Sequence, residues 1–78
     1  MDAATLAAQE TLLADREEQR ARDQRQDGEA SVSRWTRRVH ERKAQVHDEV
    51  AMGHRDAAER YAALAETERG AQLERSLG

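Results

Sequence analysis

A seven-residue repeat occupies residues 40–65, which read HERKAQVHDEVAMGHRDAAERYAALA. One row of the repeat carries imidazole or phenol side chains: His40, His47, His54 and Tyr61. A second row, four positions later, is entirely alanine: Ala44, Ala51, Ala58 and Ala65. Residues that recur at spacings of three and four lie on one face of an α-helix. The stretch therefore predicts a helix that a second helix approaches closely along the alanine row, with the left-handed supercoil of a strict heptad.

The heptad phase continues unchanged through Gly53, so we expect one long helix across this position. A helix end at Gly53 would normally reset the phase, and it would give three helices of similar length. An interior glycine costs about 1 kcal/mol relative to alanine, which a long helix tolerates. The chain also contains no proline. We predict a second helix over residues 29–76, with a three-helix bundle broken at Gly53 as the alternative.

The segment before the repeat is rich in the helix formers Ala, Leu, Arg, Glu and Gln. Asp2 is suited to cap its N-terminus. Asp27-Gly28 is the clearest turn signal, because glycine readily adopts the left-handed conformation that ends a helix. The predicted fold is all-α, a coiled-coil-like helical hairpin in one domain. Its first helix lies within residues 1–27 and its long second helix within residues 28–78.

The composition excludes most kinds of catalytic site. Alanine supplies 15 of the 29 hydrophobic residues, and the chain has no cysteine. Thiol nucleophiles and thiolate metal sites are therefore absent, and the scattered glycines form no phosphate-binding loop. We predict a protein that is not an enzyme and binds no cofactor or metal. Since no signal peptide and no apolar run of about 20 residues is present, we expect a cytoplasmic protein without a membrane partner.

The unequal lengths of the two predicted helices favour self-association. The second helix would span about 72 Å and the first about 37 Å, so part of the heptad face would lack a partner in its own chain. The simplest assembly that covers this part of the heptad face is a homodimeric antiparallel bundle of two hairpins. A higher oligomer and another helical protein are the alternatives. The predicted interface residues are Val39, Val46, His47, Val50, His54, Ala57, Tyr61 and Leu64.

The histidine row has three interpretations. The first is a metal site. Metal ligands on one helix normally lie three or four positions apart, however, whereas these rings lie seven apart, about 10 Å along the axis. A polar seam beside small alanines is the simplest interpretation. A pH-sensitive interface is the third, because protonating a row of stacked histidines would oppose association.

Residues 34–43 carry five positive charges and one negative charge. Such a segment binds phosphates and stacks bases on its aromatic residue, so it predicts an Arg-dependent site for nucleic acid or an anionic nucleotide. The candidate residues are Arg34, Trp35, Arg37, Arg38 and Arg42. The competing interpretation is neutralisation within the hairpin. Folding about residues 27–28 pairs positions whose numbers sum to about 55, which places Arg37 and Arg38 near Glu17 and Glu18. We favour neutralisation, and hence an interaction or regulatory module that acts through self-association.

The run His40–Glu49 resembles the Ala/Arg/Glu/His heptad helices of actinobacterial regulatory proteins. The resemblance covers about 35 residues, rests on composition, and implies a regulatory role. The hairpin is also similar to the antiparallel helical anti-sigma factors of that phylum, which hold cyclic di-GMP. Glu29 and Ser33 match the first interval of their motif. Thr36, His40 and Ala44 replace its Arg, Gln and Asp, so the resemblance supplies no ligand residues.

Overall fold

Two antiparallel α-helices make up the fold in a computed structural model that describes residues 1–77. Helix α1 spans Ala3–Glu29 and helix α2 spans Arg34–Leu77. Together they form a rod of 68 × 14 × 13 Å. The predicted all-α hairpin with a long second helix is confirmed. Neither helix combines the length and the apolar character needed to span a membrane within the described residues.

Side-chain and backbone caps define the helix ends. The Asp2 carboxylate accepts a hydrogen bond from the Thr5 N–H at 2.8 Å, which confirms Asp2 as the N-cap of α1. Ser33 caps the N-terminus of α2, since its carbonyl accepts from the Arg37 N–H at 3.0 Å and its hydroxyl from the Thr36 N–H at 3.4 Å. The connection between the helices is therefore only residues 30–33.

The chain reverses after Asp27-Gly28, so the predicted turn position is wrong. Both residues belong to the last turn of α1, and no glycine of the described residues has a positive φ. Gly28 is buried against α2, where an added Cβ would lie 3.1 Å from the Cβ of His40. Glycine is needed here because the two backbones approach closely, and this contact requires no left-handed conformation.

Helix α2 continues through Gly53 for 44 residues, so the three-helix alternative is wrong. A Cβ built on Gly53 meets nothing within 4 Å, which places this glycine on an open face of the helix. At 1.5 Å per residue α2 is about 66 Å long and α1 about 40 Å. The C-terminal part of α2 therefore extends beyond α1, and residues 66–77 are almost entirely exposed.

Only small residues are buried between the helices. We call this contact the seam; its buried residues are Ala3, Ala14, Ala21, Gly28, Ala44, Ala51 and Ala65. No large side chain is fully buried among residues 1–77. The hairpin is thus held by close backbone approach, while the large apolar side chains remain at least partly in solvent.

Candidate interaction surfaces

Two carboxylates of α1 meet two imidazoles of α2 inside the seam. Nδ1 of His47 donates to Oε2 of Glu17 at 2.6 Å, and Nδ1 of His54 donates to Oε2 of Glu10 at 2.5 Å. All four side chains are less than one third exposed. The hydrogen bond from His47 lowers the pKa of Glu17 below its ordinary value.

A third contact fixes the register of the two helices. Nδ1 of His40 lies 2.8 Å from Oε1 of Gln24. In this contact and in both histidine–glutamate pairs the two residue numbers sum to 64. The predicted sum of about 55 is wrong, because α1 continues through Gly28 and the turn falls later in the chain.

The same register alternates polar layers with alanine layers. By this register, to within one residue, Ala14 lies opposite Ala51 and Ala21 opposite Ala44, and all four are buried. The partners of these histidines lie on α1, so the spacing of residues along α2 gives no sign of them. The signal lay in a second heptad, in which Ala14, Ala21 and Gly28 alternate with three polar residues: Glu10, Glu17 and Gln24.

One side of the seam is bordered by ion pairs, and we call it the charged flank. Arg25 of α1 contacts Glu41 at 3.3 Å and Asp48 at 2.7 Å. Arg55 of α2 contacts Glu18 at 2.6 Å. Hydrogen bonds to these carboxylates raise the pKa of both arginines. Exposed pairs of this kind contribute little energy individually, but as cross-helix contacts they reinforce the register set by the seam.

The opposite side of the seam is apolar. It includes what we call the outer stripe of α2: Val39, Val46, Val50, Ala57 and Leu64. Val46, Val50 and Leu64 are 52%, 42% and 48% exposed, although they are large apolar residues. At 100° per residue this stripe lies roughly a quarter turn round the helix from the seam. The register places Leu13 of α1 beside Val50, so apolar surface continues from one helix to the other.

The predicted interface residues therefore divide into two sets. His47, His54 and Tyr61 face α1 within the chain and are half-buried there. The five residues of the outer stripe lie beside the seam, where Val46, Val50 and Leu64 are exposed and Val39 and Ala57 are half-buried. Only the second set is available to contact another copy of the hairpin.

A cluster of cations occupies the first ten residues of α2, next to the turn, and we call it the basic tip. It contains all the candidate anion-binding residues and one lysine: Arg34, Trp35, Arg37, Arg38, Arg42 and Lys43. Every member is exposed, and Arg37 donates from Nε to the Ser31 carbonyl at 2.8 Å. None of the five cations forms an ion pair among the described residues.

The predicted neutralisation of this tip by the first helix is wrong. Glu17 binds His47 and Glu18 binds Arg55, both well away from the turn. The register places Glu17 and Glu18 away from the turn, and the two acids that remain near it, Asp27 and Glu29, form no ion pair among the described residues, so the tip keeps its positive charge.

No group of three or more potential metal ligands occurs within residues 1–77. Comparison with protein-family models, with curated proteins and with solved structures finds no match to this chain.

Proposed function

We propose that this chain is a non-enzymatic helical interaction module that acts through self-association. Two hairpins join along their outer stripes, related by a two-fold axis, and form a four-helix bundle. The observation that carries this proposal is the asymmetry of the hairpin. On one flank of the seam the charged side chains form ion pairs within the chain, while the other flank is apolar and open to solvent.

The exposed residues have the pattern of a second helix-packing face. Along α2, Val39, Val46 and Val50 are followed at heptad spacing by Ala57 and Leu64. A two-fold axis pairs each residue with a different residue of the other copy. In an antiparallel contact centred between residues 51 and 52, Val39 of one hairpin lies opposite Leu64 of the other, and Val46 lies opposite the smaller Ala57.

The surface area of the hairpin agrees with the need for a partner. The chain exposes 6057 Å². A compact monomer of 8.8 kDa exposes about 4,800 Å² by the usual scaling with mass. The excess is about 1,300 Å² per chain, and a standard protein interface removes about 800 Å² from each partner. A contact of standard size would therefore remove somewhat more than half of this excess.

Leu64→Asp tests this proposal because it places a charge in the outer stripe, far from the ion pairs of the charged flank. Met52→Asp is the matched control, since Met52 is 66% exposed on the same helix but outside the stripe. Molar mass is measured by size-exclusion chromatography with light scattering, and helix content by circular dichroism.

We expect Leu64→Asp to give a helical monomer of 8.8 kDa and Met52→Asp to keep the mass of a dimer. A Leu64→Asp variant that still forms dimers would overturn the proposal. Equal dissociation by the Met52→Asp control would also overturn it, because the effect would then not depend on the stripe. If Leu64→Asp does not fold, Leu64→Ala provides the milder change, and it must weaken the dimer at unchanged helix content.

A further inference from the structure

We infer that the basic tip binds single-stranded nucleic acid, a second activity that is independent of self-association. The first support is a local excess of positive charge. The whole chain has a formal charge of −3, but residues 34–43 hold five cations and one anion. That anion, Glu41, is already in contact with Arg25. The acids nearest to the turn on α1, Asp27 and Glu29, form no ion pair in the described residues.

The arginines form a row along one side of α2. Arg34, Arg38 and Arg42 are spaced four residues apart, which corresponds to steps of about 6 Å along the axis. All three are exposed, and none has a carboxylate partner within residues 1–77. No acidic residue occupies the first turn of α2, so their charges add to the positive end of the helix dipole. The phosphate backbone of a nucleic acid beside this row would be attracted by the arginine charges and by the helix dipole.

The exposed side chain of Trp35 indicates which kind of polyanion the basic tip binds. Its side chain is 74% exposed, and it lies one turn from Arg38 and two turns from Arg42 on the same face. An indole in this position offers a flat surface on which an unpaired base can stack between phosphate contacts. Paired bases are stacked inside a duplex, so this surface favours single strands.

The remainder of this face argues against a membrane surface. Beyond Arg42 the face continues with Gln45, Glu49 and Asp56. An interfacial membrane helix needs an extended apolar face beside its cations, which these polar and acidic residues interrupt. Arg34 and Arg38 lie at least about 80° round the helix from every residue of the outer stripe, whereas Trp35 and Arg42 lie about 40° from Val39 and Val46 respectively. Arg34 and Arg38 therefore stay accessible in the proposed dimer, while Trp35 and Arg42 border its contact.

The test uses the intact chain and a single-stranded oligothymidine of about 20 nucleotides, a length that spans the site sizes of known single-strand binders. Trp35 is the only tryptophan, so stacking is read directly from quenching of the intrinsic fluorescence. Anisotropy of a labelled oligonucleotide gives the affinity and its salt dependence.

The decisive variant replaces Arg34, Arg38 and Arg42 together by glutamine. The matched control replaces three other exposed arginines, Arg16, Arg22 and Arg75, and so changes the net charge equally. We expect the tip variant to weaken binding at least tenfold and to reduce the magnitude of the log–log salt slope by about 2, since each lost phosphate contact removes about 0.7. The control triple is expected to retain most of the affinity.

Trp35→Leu separates stacking from charge. We expect it to weaken binding roughly tenfold while leaving the salt slope unchanged. Equal losses in the tip triple and the control triple would overturn the inference, because binding would then depend on net charge alone. Absence of tryptophan quenching at saturating oligonucleotide would overturn it as well. So would binding of phosphatidylserine vesicles, dependent on the same three arginines, without binding of oligothymidine.

Discussion

Replacing Ala14 by leucine tests how closely the two helices approach. Ala14 is 0% exposed and lies opposite Ala51 in an alanine layer of the seam. Leucine adds three carbon atoms where the facing residue has only a methyl group, so the helices must separate. Overpacking of a buried site costs about 1–3 kcal/mol. We expect a loss of stability at the upper end of this range, because the facing residue is an alanine and has no flexible side chain that can move aside. In a domain of this size, about 3 kcal/mol lowers the Tm by roughly 12–24 °C.

The matched control is Ala63→Leu, which makes the same change on the exposed side of α2. Alanine and leucine have similar helix propensities, so we expect the control to change stability by less than about 0.5 kcal/mol. Both variants are melted at one chain concentration by circular dichroism, because association contributes to apparent stability. An Ala14→Leu variant as stable as the control would refute the close approach of the helices.

Two further predictions concern the ion pairs of the seam and the continuity of α2. The lowered pKa of Glu17 means that its pairing with His47 stabilises the hairpin above the ordinary glutamate pKa of about 4.3, and that this stabilisation is lost as the pH falls through the lowered value. The Tm difference between the unmodified chain and Glu17→Gln should therefore disappear in acid; a constant difference would contradict the pairing. In a Leu64→Asp background, which leaves only the hairpin, Gly53→Ala should raise stability by about 1 kcal/mol. Gly70→Ala, which is also open but lies in the part of α2 beyond α1, should act less on the stability of the hairpin. A loss of stability for Gly53→Ala would indicate a break in α2.

The second helix was predictable because its heptads repeat one chemical pattern four times. His40, His47, His54 and Tyr61 hold their phase across Gly53, and a broken helix would have no reason to keep it. The phase argument outweighed the low helix propensity of a single glycine. Local periodicity is thus enough to establish the all-α hairpin with a long α2.

The turn was not predictable from Asp27-Gly28 alone. Glycine serves both left-handed turns and close backbone contacts, and the sequence does not distinguish the two roles. The contact with His40 in the folded hairpin shows that Gly28 serves the second role. Its place in the α1 heptad, seven residues after Ala21, was the available sign.

The error in the predicted turn position also made the predicted cross-helix partners of the charged residues wrong. With a register sum near 55, Glu17 and Glu18 lie beside Arg37 and Arg38; with a sum of 64 they lie beside His47 and Arg55. Cross-helix partners depend on register, and register depends on a loop whose length the sequence leaves open. The candidate anion-binding residues are close together in the sequence, so their proximity was predictable, while their lack of acidic partners required the structure.

The most direct test of the proposed function is the molar mass of the unmodified chain over a range of concentrations, measured by light scattering. The exposed outer stripe predicts a species of twice 8.8 kDa that dissociates to a helical monomer on dilution. A helical species that remains at 8.8 kDa up to the highest concentration would contradict self-association through this stripe.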